Sequence, residues 1–253
     1  MKKIWYYLCA IVGVLALWLF IDHISGFEEH EYFFIQNPGI EKYCGTNVVS
    51  PWADFAFFTY HTLIFFGIWL IGIFLSFILR SARLRNFFTH EATVVFILTN
   101  YTITCVLYTA FELLGGSPTF GLYALNSKAI HNLGTNILAH YVFYIFALLI
   151  GFKVRTNHTM KRKHVIIIIL YLLLYCLSVK ITGKYCYRIE WYPYPIFDAQ
   201  SLWGMLGLQK YEPLQGNILL IFVYTALLVG YILLLLGFRR LKRKQLKSKI
   251  DKI

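Results

Sequence analysis

Two residues with the side chains of a nucleophile and a general base lie at matching depths in two apolar segments of this sequence. Thr59 lies about five residues after Asp54, at the start of one apolar run, and His140 lies about five residues after Thr135, at the start of another. At 1.5 Å per helical residue, both side chains would lie roughly 7 Å below the same membrane surface. An imidazole within hydrogen-bond reach can take the proton of a threonine hydroxyl and activate it. If the two helix faces meet, the sequence predicts a Thr59–His140 catalytic pair.

Three further residues are candidates for supporting this pair. Asn136 and Tyr144 lie four residues before and after His140, so α-helical geometry places them on its face. Either could orient the imidazole ring or donate to an oxyanion. Thr62 follows Thr59 by about one turn and is a candidate for support or substrate binding.

The same residues also have structural interpretations. A threonine in a membrane helix commonly donates to a carbonyl of its own helix or packs against a neighbouring helix. His61 is two residues from Thr59 and points about 200° away on the helix, so it is a weaker candidate for the base. The polar side chains of the third apolar segment either hold helices together or form the wall of a cavity. They are Thr93, Thr99, Asn100, Thr102, Thr104, Thr109 and Glu112.

Composition identifies the solvent of this chain as lipid. Hydrophobic residues make up 58% of the 253 residues and charged residues only 14%, against about 45–50% and 25% in a soluble domain. The net charge of +12 does not indicate nucleic acid, because the basic residues cluster at the ends of apolar runs. The expected partners are therefore membrane lipids, with no nucleic acid.

Six runs are long enough to cross a bilayer, for which about 20 mostly apolar residues are needed. Backbone polar groups in lipid must be satisfied within their own segment, so we expect helices. The sequence predicts an all-α protein, a single six-helix transmembrane domain over residues 1–253. The predicted spans are residues 4–21, 55–79, 92–113, 135–152, 164–181 and 214–238.

Lysine and arginine predict the orientation of these spans. Eighteen basic residues fall on one side and five on the other, with Lys180 near the end of the fifth span. The positive-inside rule then predicts a multi-pass protein of the cell membrane with both termini cytoplasmic. A cleaved signal peptide over the first span is disfavoured, because no small-residue cleavage site follows it. Residues 239–253 form a basic cytoplasmic tail, expected to be solvated and able to bind anionic lipid.

The five cysteines separate into two groups. Cys9, Cys105 and Cys176 lie in predicted spans and are interpreted as small packing residues. Cys44 and Cys186 lie in predicted outer loops, where a disulfide between them is one alternative and two free thiols the other. No cysteine and histidine spacing is typical of a zinc site, and we predict no metal.

Three pieces of the sequence together resemble the androgen-induced-gene-like family of six-span membrane proteins. These pieces are Phe57-Phe58-Thr59, His140, and Trp-Tyr-Pro-Tyr-Pro-Ile-Phe-Asp at residues 191–198, of which the last is the most specific. The six-span layout extends the resemblance over nearly the whole chain. Animal members are threonine hydrolases that cleave esters of fatty acids with hydroxy fatty acids through one intramembrane threonine and one intramembrane histidine. The resemblance implies these roles for Thr59 and His140.

These observations leave three hypotheses for function. The first is an intramembrane threonine hydrolase of lipid esters that needs no metal or cofactor. The second is a small-molecule or lipid transporter, or a lipid-binding protein, in which the polar third span lines the path. The third is a structural or regulatory membrane protein that acts through its basic tail. The sequence leaves the oligomeric state open.

Overall fold

The structure is a computed structural model that describes residues 2–25, 58–113, 134–156, 158–181, 202 and 213–250. Cys44, Cys186 and the motif at 191–198 lie outside these residues. The disulfide between the two cysteines therefore stays a prediction, and so does the most specific part of the family resemblance.

Every described element is a helix, and no strand occurs within the described ranges. Six helical segments are long and apolar enough to cross a membrane, which confirms the predicted all-α, six-span membrane protein. A short helix connects the second and third spans, and a π-helical turn interrupts the fourth. The helices are α1 (Lys3–Ser25), α2 (Phe58–Ile78), α3 (Ala82–Phe88), α4 (Glu91–Leu113), α5 (Phe143–Lys153, preceded by the π-helical turn Leu138–Val142), α6 (Arg162–Ile181) and α7 (Pro213–Ile250).

Helix α4 is the central helix of the bundle. It contacts α2, the π-helical turn, α5, α6 and α7. The largest fully buried side chains cluster around it, because aromatic rings fill the space between helices that carry small and polar residues at their contacts. These side chains include Trp69, Tyr101, Tyr231, Phe66 and Phe143. The most polar predicted span is thus the one that lies innermost.

Helices α1 and α2 cross at two glycines. A Cβ atom on Gly67 would lie 2.7 Å from Leu17 Cγ and 3.0 Å from the carbonyl oxygen of Gly13. A Cβ atom on Gly13 would lie 3.0 Å from the carbonyl oxygen of Gly67. The backbones therefore approach as closely as they do only because neither residue has a side chain.

Helix α7 continues well beyond the apolar segment that defines the sixth span. Its 38 residues extend about 57 Å at 1.5 Å per residue, against a hydrocarbon core of roughly 30 Å. The helix carries Arg239 to Lys249 to the end of the bundle where the other basic residues lie. We call this end, which includes Lys3, Arg83 and Lys161, the basic end.

Lys242 is buried at the basic end, contrary to the solvated tail that the sequence predicted. Its side chain is 2% exposed. The ammonium group donates to the carbonyl oxygens of Gly151 and Val154, each at 2.8 Å, and to Gln245 Oε1 at 3.0 Å. Because Gly151 and Val154 lie at the end of α5, the lysine satisfies carbonyls that the helix leaves without an amide donor.

The segment between α5 and α6 is held by α4 and α7 together. The carboxylate of Glu91, which is 2% exposed, accepts from the backbone N–H of Met160. The carbonyl of Met160 accepts from Arg239 at 3.0 Å and from Arg243 at 3.1 Å. Arg243 Nε also lies 3.6 Å from the Glu91 carboxylate. The basic end is therefore a packed junction of three elements.

Candidate functional site

The register between α2 and α4 is set by two contacts that sit one turn apart. The rings of Phe66 and Tyr101 meet at 4.8 Å between centroids, and the hydroxyl oxygens of Thr62 and Thr104 lie 3.1 Å apart. From the first contact to the second, the residue number decreases on α2 and increases on α4, so the two helices are antiparallel. Both helices rise 1.5 Å per residue, and the same register therefore extends along the rest of the contact.

Thr59 is the second residue of α2 and is half-buried. It lies seven residues before Phe66, which is about two helical turns, so the two side chains share a face of α2. Phe66 packs against Tyr101 of α4 and, at 5.8 Å between ring centroids, against Phe143 of α5. Thr59 accordingly lies on the side of α2 that is turned toward α4 and α5. The antiparallel register brings it to the level of Tyr108.

His140 lies in the π-helical turn Leu138–Val142 and is 6% exposed. The segment from Ile137 to Phe143 contains neither proline nor glycine, so no local sequence signal marks this turn. A π turn inserts one residue into a helix and is frequent at functional sites. The turn therefore changes which side chains share a face with His140, compared with the α-helical spacing used on the sequence.

The His140 ring is stacked on Tyr108 of α4. The ring centroids are 3.7 Å apart and the planes are inclined by only 8°. The Nδ1 atom of His140 is buried and has no hydrogen-bond partner within the described part of the chain. Thr59 and His140 thus lie near the same segment of α4, and the pairing of the hydroxyl with the imidazole stays a prediction.

The residues proposed as support lie around this site in different ways. The Tyr144 hydroxyl lies 3.4 Å from Thr102 Oγ1 on α4, and Asn136 is half-buried near the start of the fourth span. Because His140 Nδ1 has no partner among the described residues, neither side chain orients the ring through that atom. A role for either as an oxyanion donor stays a prediction.

Thr62 is 1% exposed and is part of the contact between α2 and α4. Its hydroxyl donates to the carbonyl of Phe58 at 2.9 Å and lies next to the Thr104 hydroxyl. These contacts are those of a threonine that packs helices together. Its support of Thr59 would therefore come through the position of α2.

His61 faces a different helix from the candidate site. Its Nδ1 lies 3.2 Å from the hydroxyl of Tyr171 on α6, and its ring packs against Tyr175 at 5.3 Å. The sequence-based expectation that His61 points away from Thr59 agrees with these contacts. His140 is left as the buried imidazole on the side of α4 that Thr59 faces.

Tyr108 is the residue of this site that sequence reasoning did not single out. A tyrosine in an apolar segment is usually a packing residue, and nothing in the sequence distinguishes Tyr108 from its neighbours. Its role depends on the rotation of two helices about their axes, which hydropathy does not fix. A spacing argument that began from the polar residues of the third span would have reached Thr109, which is adjacent to it.

The described residues contain no group of three or more acidic, histidine or cysteine side chains with metal-binding geometry. No family model, curated protein or solved structure matches this chain. The site is therefore assessed on its own geometry.

Proposed function

We propose that this membrane protein is an intramembrane hydrolase of lipid esters, in which Thr59 is the nucleophile and His140 the general base. The observation that carries the proposal is the environment of the His140 imidazole. Its imidazole is buried in a π-helical turn, and its Nδ1 has no hydrogen-bond partner among the described residues. An unsatisfied buried polar atom costs about 1–3 kcal/mol. The ring is also stacked on Tyr108, at the level of α4 that Thr59 faces.

The reaction follows from the chemistry of the two groups. Thr59 Oγ1 attacks the ester carbonyl carbon while His140 accepts its proton. The tetrahedral intermediate collapses, the bond to the alcohol oxygen breaks, and His140 returns the proton to that oxygen. Water then attacks the acyl-threonine, with His140 again as base, and releases the fatty acid and the free threonine.

The expected substrate is a lipid whose ester lies near the headgroup level. Thr59 and His140 are near the starts of their spans, away from the basic end, and a depth of roughly 7 Å suits an ester of a membrane lipid. The resemblance to the androgen-induced-gene-like family suggests esters of fatty acids. With the basic end cytoplasmic in the cell membrane, the site would lie in the outer leaflet.

The test is hydrolysis by purified protein in detergent or vesicles, with a fluorophosphonate probe and a fluorogenic fatty-acid ester. We expect Thr59→Ala to abolish labelling and turnover, and Thr59→Ser to retain part of both. His140→Ala should lower kcat about 100-fold to 10,000-fold. The matched control is Thr225→Ala, which removes an exposed hydroxyl that donates within α7, at 2.8 Å to the carbonyl of Ile221. Thr59→Ala activity equal to that of Thr225→Ala would contradict the proposal.

Binding or transport of a lipid without catalysis is the second candidate. Two buried hydroxyls of α4, those of Thr99 and Tyr101, have no hydrogen-bond partner within the described ranges. Such groups suit the wall of a path for a polar substrate. A flux assay in vesicles separates the candidates, because a transporter moves lipid across the bilayer without forming free fatty acid.

A further inference from the structure

The contact between His140 and Tyr108 has a geometry that fixes the plane of the imidazole. A centroid separation of 3.7 Å with planes only 8° apart means that the two ring faces lie against each other. Rotation of the imidazole about its χ2 bond would drive its edge into the tyrosine ring. The two nitrogens are therefore confined to one plane, parallel to the tyrosine ring.

A general base needs this kind of control. Proton transfer requires the accepting nitrogen within about 2.6–3.2 Å of the hydroxyl oxygen. In most catalytic histidines, a hydrogen bond to the second ring nitrogen holds the ring in place. His140 Nδ1 has no such partner in the part of the chain that the structure describes. Among the described residues, the stacked ring of Tyr108 restricts the orientation of the His140 imidazole.

Tyr108 is itself held by the residues next to it. Its ring packs edge-on against Tyr141 at 5.9 Å between centroids. The Tyr141 hydroxyl lies 3.0 Å from Thr109 Oγ1, and Thr109 donates to the carbonyl of Cys105 at 2.8 Å. Two successive residues of α4, Tyr108 and Thr109, therefore meet two successive residues of the other helix.

The π-helical turn contains both of the side chains that meet Tyr108, His140 and Tyr141. The wider turn closes hydrogen bonds from residue i to i+5, which reduces the angle between successive side chains. His140 and Tyr141 can then both point toward α4. The turn and the tyrosine thus act together on the orientation of the imidazole.

We infer that Tyr108 is a positioning residue that holds the His140 imidazole in the plane needed to accept the Thr59 proton. The inference rests on the proposed function. On this inference, the aromatic face of Tyr108 orients the imidazole, and its hydroxyl is not needed for that role. Tyr108→Phe should therefore keep the activity, and Tyr108→Leu should lose it.

The kinetic test compares these variants on the same fluorogenic ester. We expect Tyr108→Leu to lower kcat about 100-fold, the effect of a misplacement of roughly 1 Å, with KM little changed. Tyr108→Phe should stay close to wild type. Tyr231→Leu on α7 is the control, because it removes a buried tyrosine ring whose hydroxyl donates to Asn100, about two turns of α4 away from Tyr108. A loss of kcat in Tyr231→Leu as large as in Tyr108→Leu overturns the inference.

A double-mutant cycle tests whether Tyr108 acts through His140. In the His140→Ala background, Tyr108→Leu should cause no further loss, since the group that it positions is gone. Additive losses overturn the inference, even where Thr59→Ala and His140→Ala have upheld the proposed function. Unchanged activity in both of those single variants refutes the hydrolase itself, so the two failures are distinguishable.

A spectroscopic readout does not depend on activity. In protein labelled at histidine ring carbons, stacking on Tyr108 should shift the His140 ring signal upfield through the ring current. The signal is the one that disappears in His140→Asn. We expect it to stay in place in Tyr108→Phe and to move downfield in Tyr108→Leu. A signal that is the same in all three proteins means that the rings do not stack and overturns the inference.

Discussion

Lys242 and His140 are both buried polar residues, but their polar atoms differ in their hydrogen-bond partners. Lys242 donates to two carbonyls at the end of α5 and to the side chain of Gln245. His140 has a stacked tyrosine and an Nδ1 with no partner among the described residues. Satisfied buried groups are usually structural, whereas an unsatisfied one calls for another explanation. On this basis Lys242 belongs to the fold and His140 to the candidate site.

Replacement of Lys242 should therefore lower stability without affecting the site directly. Lys242→Met keeps most of the side-chain volume but leaves the carbonyls of Gly151 and Val154 without their charged donor. Hydrogen bonds to charged groups contribute about 1.5–3 kcal/mol, so we expect a clear fall in the Tm of the purified protein. Lys244→Met, on the exposed side of α7, is the control. Equal Tm values for the two variants would be inconsistent with a structural role for Lys242.

At the residue scale, the sequence indicates where polar residues lie along their helices, but not which residues of other helices they contact. The depth argument selected Thr59 and His140, and helical periodicity separated His61 from them. It did not anticipate that Tyr108 stacks on His140 or that Lys242 is buried. Both contacts depend on the rotation and separation of helices that are distant in sequence. A basic residue after an apolar span gives the same sequence pattern whether its side chain is solvated or hydrogen-bonded to another helix.

At the element scale, helix ends were predictable wherever composition changes sharply. The predicted third span, 92–113, is one residue shorter than α4 (Glu91–Leu113). The predicted sixth span stopped at residue 238, whereas α7 continues to Ile250. Hydropathy marks the part of a helix that lies in lipid, and lysine, arginine and leucine are good helix formers in water as well. The π-helical turn has no compositional signal at all.

The crossing of α1 and α2 gives a prediction about close packing. Gly67→Val would place a branched side chain against Leu17 and the Gly13 carbonyl, where even a Cβ is too close. Overpacking of this kind costs about 1–3 kcal/mol, and we expect a lower Tm and separation of α1 from α2. Gly230→Val on α7 is the matched control, because a Cβ there has nothing within 4 Å. A Gly67→Val protein as stable as Gly230→Val would exclude the close crossing.

Two histidines at the basic end act as caps on helix N-termini. His90 precedes α4, and its Nδ1 accepts from the backbone N–H of Ala92 at 3.0 Å. His164 lies in the first turn of α6, and its Nδ1 accepts from the N–H of Lys161 at 3.2 Å. The His90 ring lies 4.9 Å from His164 and 5.9 Å from His158 between centroids. Only a neutral imidazole has the lone pair that such a bond needs.

This arrangement predicts a pH dependence of stability. Burial, followed by the proximity of His164 and His158, lowers the pKa of His90. A depressed pKa means that the cap is fully present above the ordinary value of about 6.5 and is lost as the pH falls through the lowered one. The charges nearby are those of Glu91 on α4 and of Lys161, Arg162 and Lys163 at the start of α6.

The measurement is the Tm of wild type and His90→Asn between about pH 8 and about pH 5. Asparagine is a good N-cap that does not titrate in this range. His90→Asn should therefore match wild type at the high end and lose less stability at the low end. Parallel curves across the whole range would show that protonation of His90 does not open the cap.

At the scale of the whole molecule, the outer surface is apolar and suits a lipid environment. Large apolar side chains on the outside are widely exposed, with Phe222 at 72% and Leu214 at 74%. In water an apolar surface of this extent would cause aggregation. In a bilayer it faces the acyl chains, while the polar side chains of α4 face inward. Composition alone predicted this inverted arrangement, because no other solvent accommodates so many apolar residues.

The predicted orientation can be tested with single cysteines in a background that lacks the five native ones. Gly134→Cys lies at the start of the fourth span, and Arg83→Cys lies on α3 at the basic end; both positions are exposed. A membrane-impermeant maleimide should label Gly134→Cys in intact cells and Arg83→Cys only after permeabilisation. The opposite labelling pattern would invert the topology and move the proposed site to the inner leaflet.

The burial of Lys242 also has a consequence for biosynthesis. The ribosome makes α5 long before α7, so the carbonyls of Gly151 and Val154 form before the ammonium group that binds them in the folded protein. Synthesis of α5 and completion of its contacts with α7 are therefore separate events. The second waits until translation has passed residue 242. Until then the end of α5 lacks the charged donor that it has in the finished molecule.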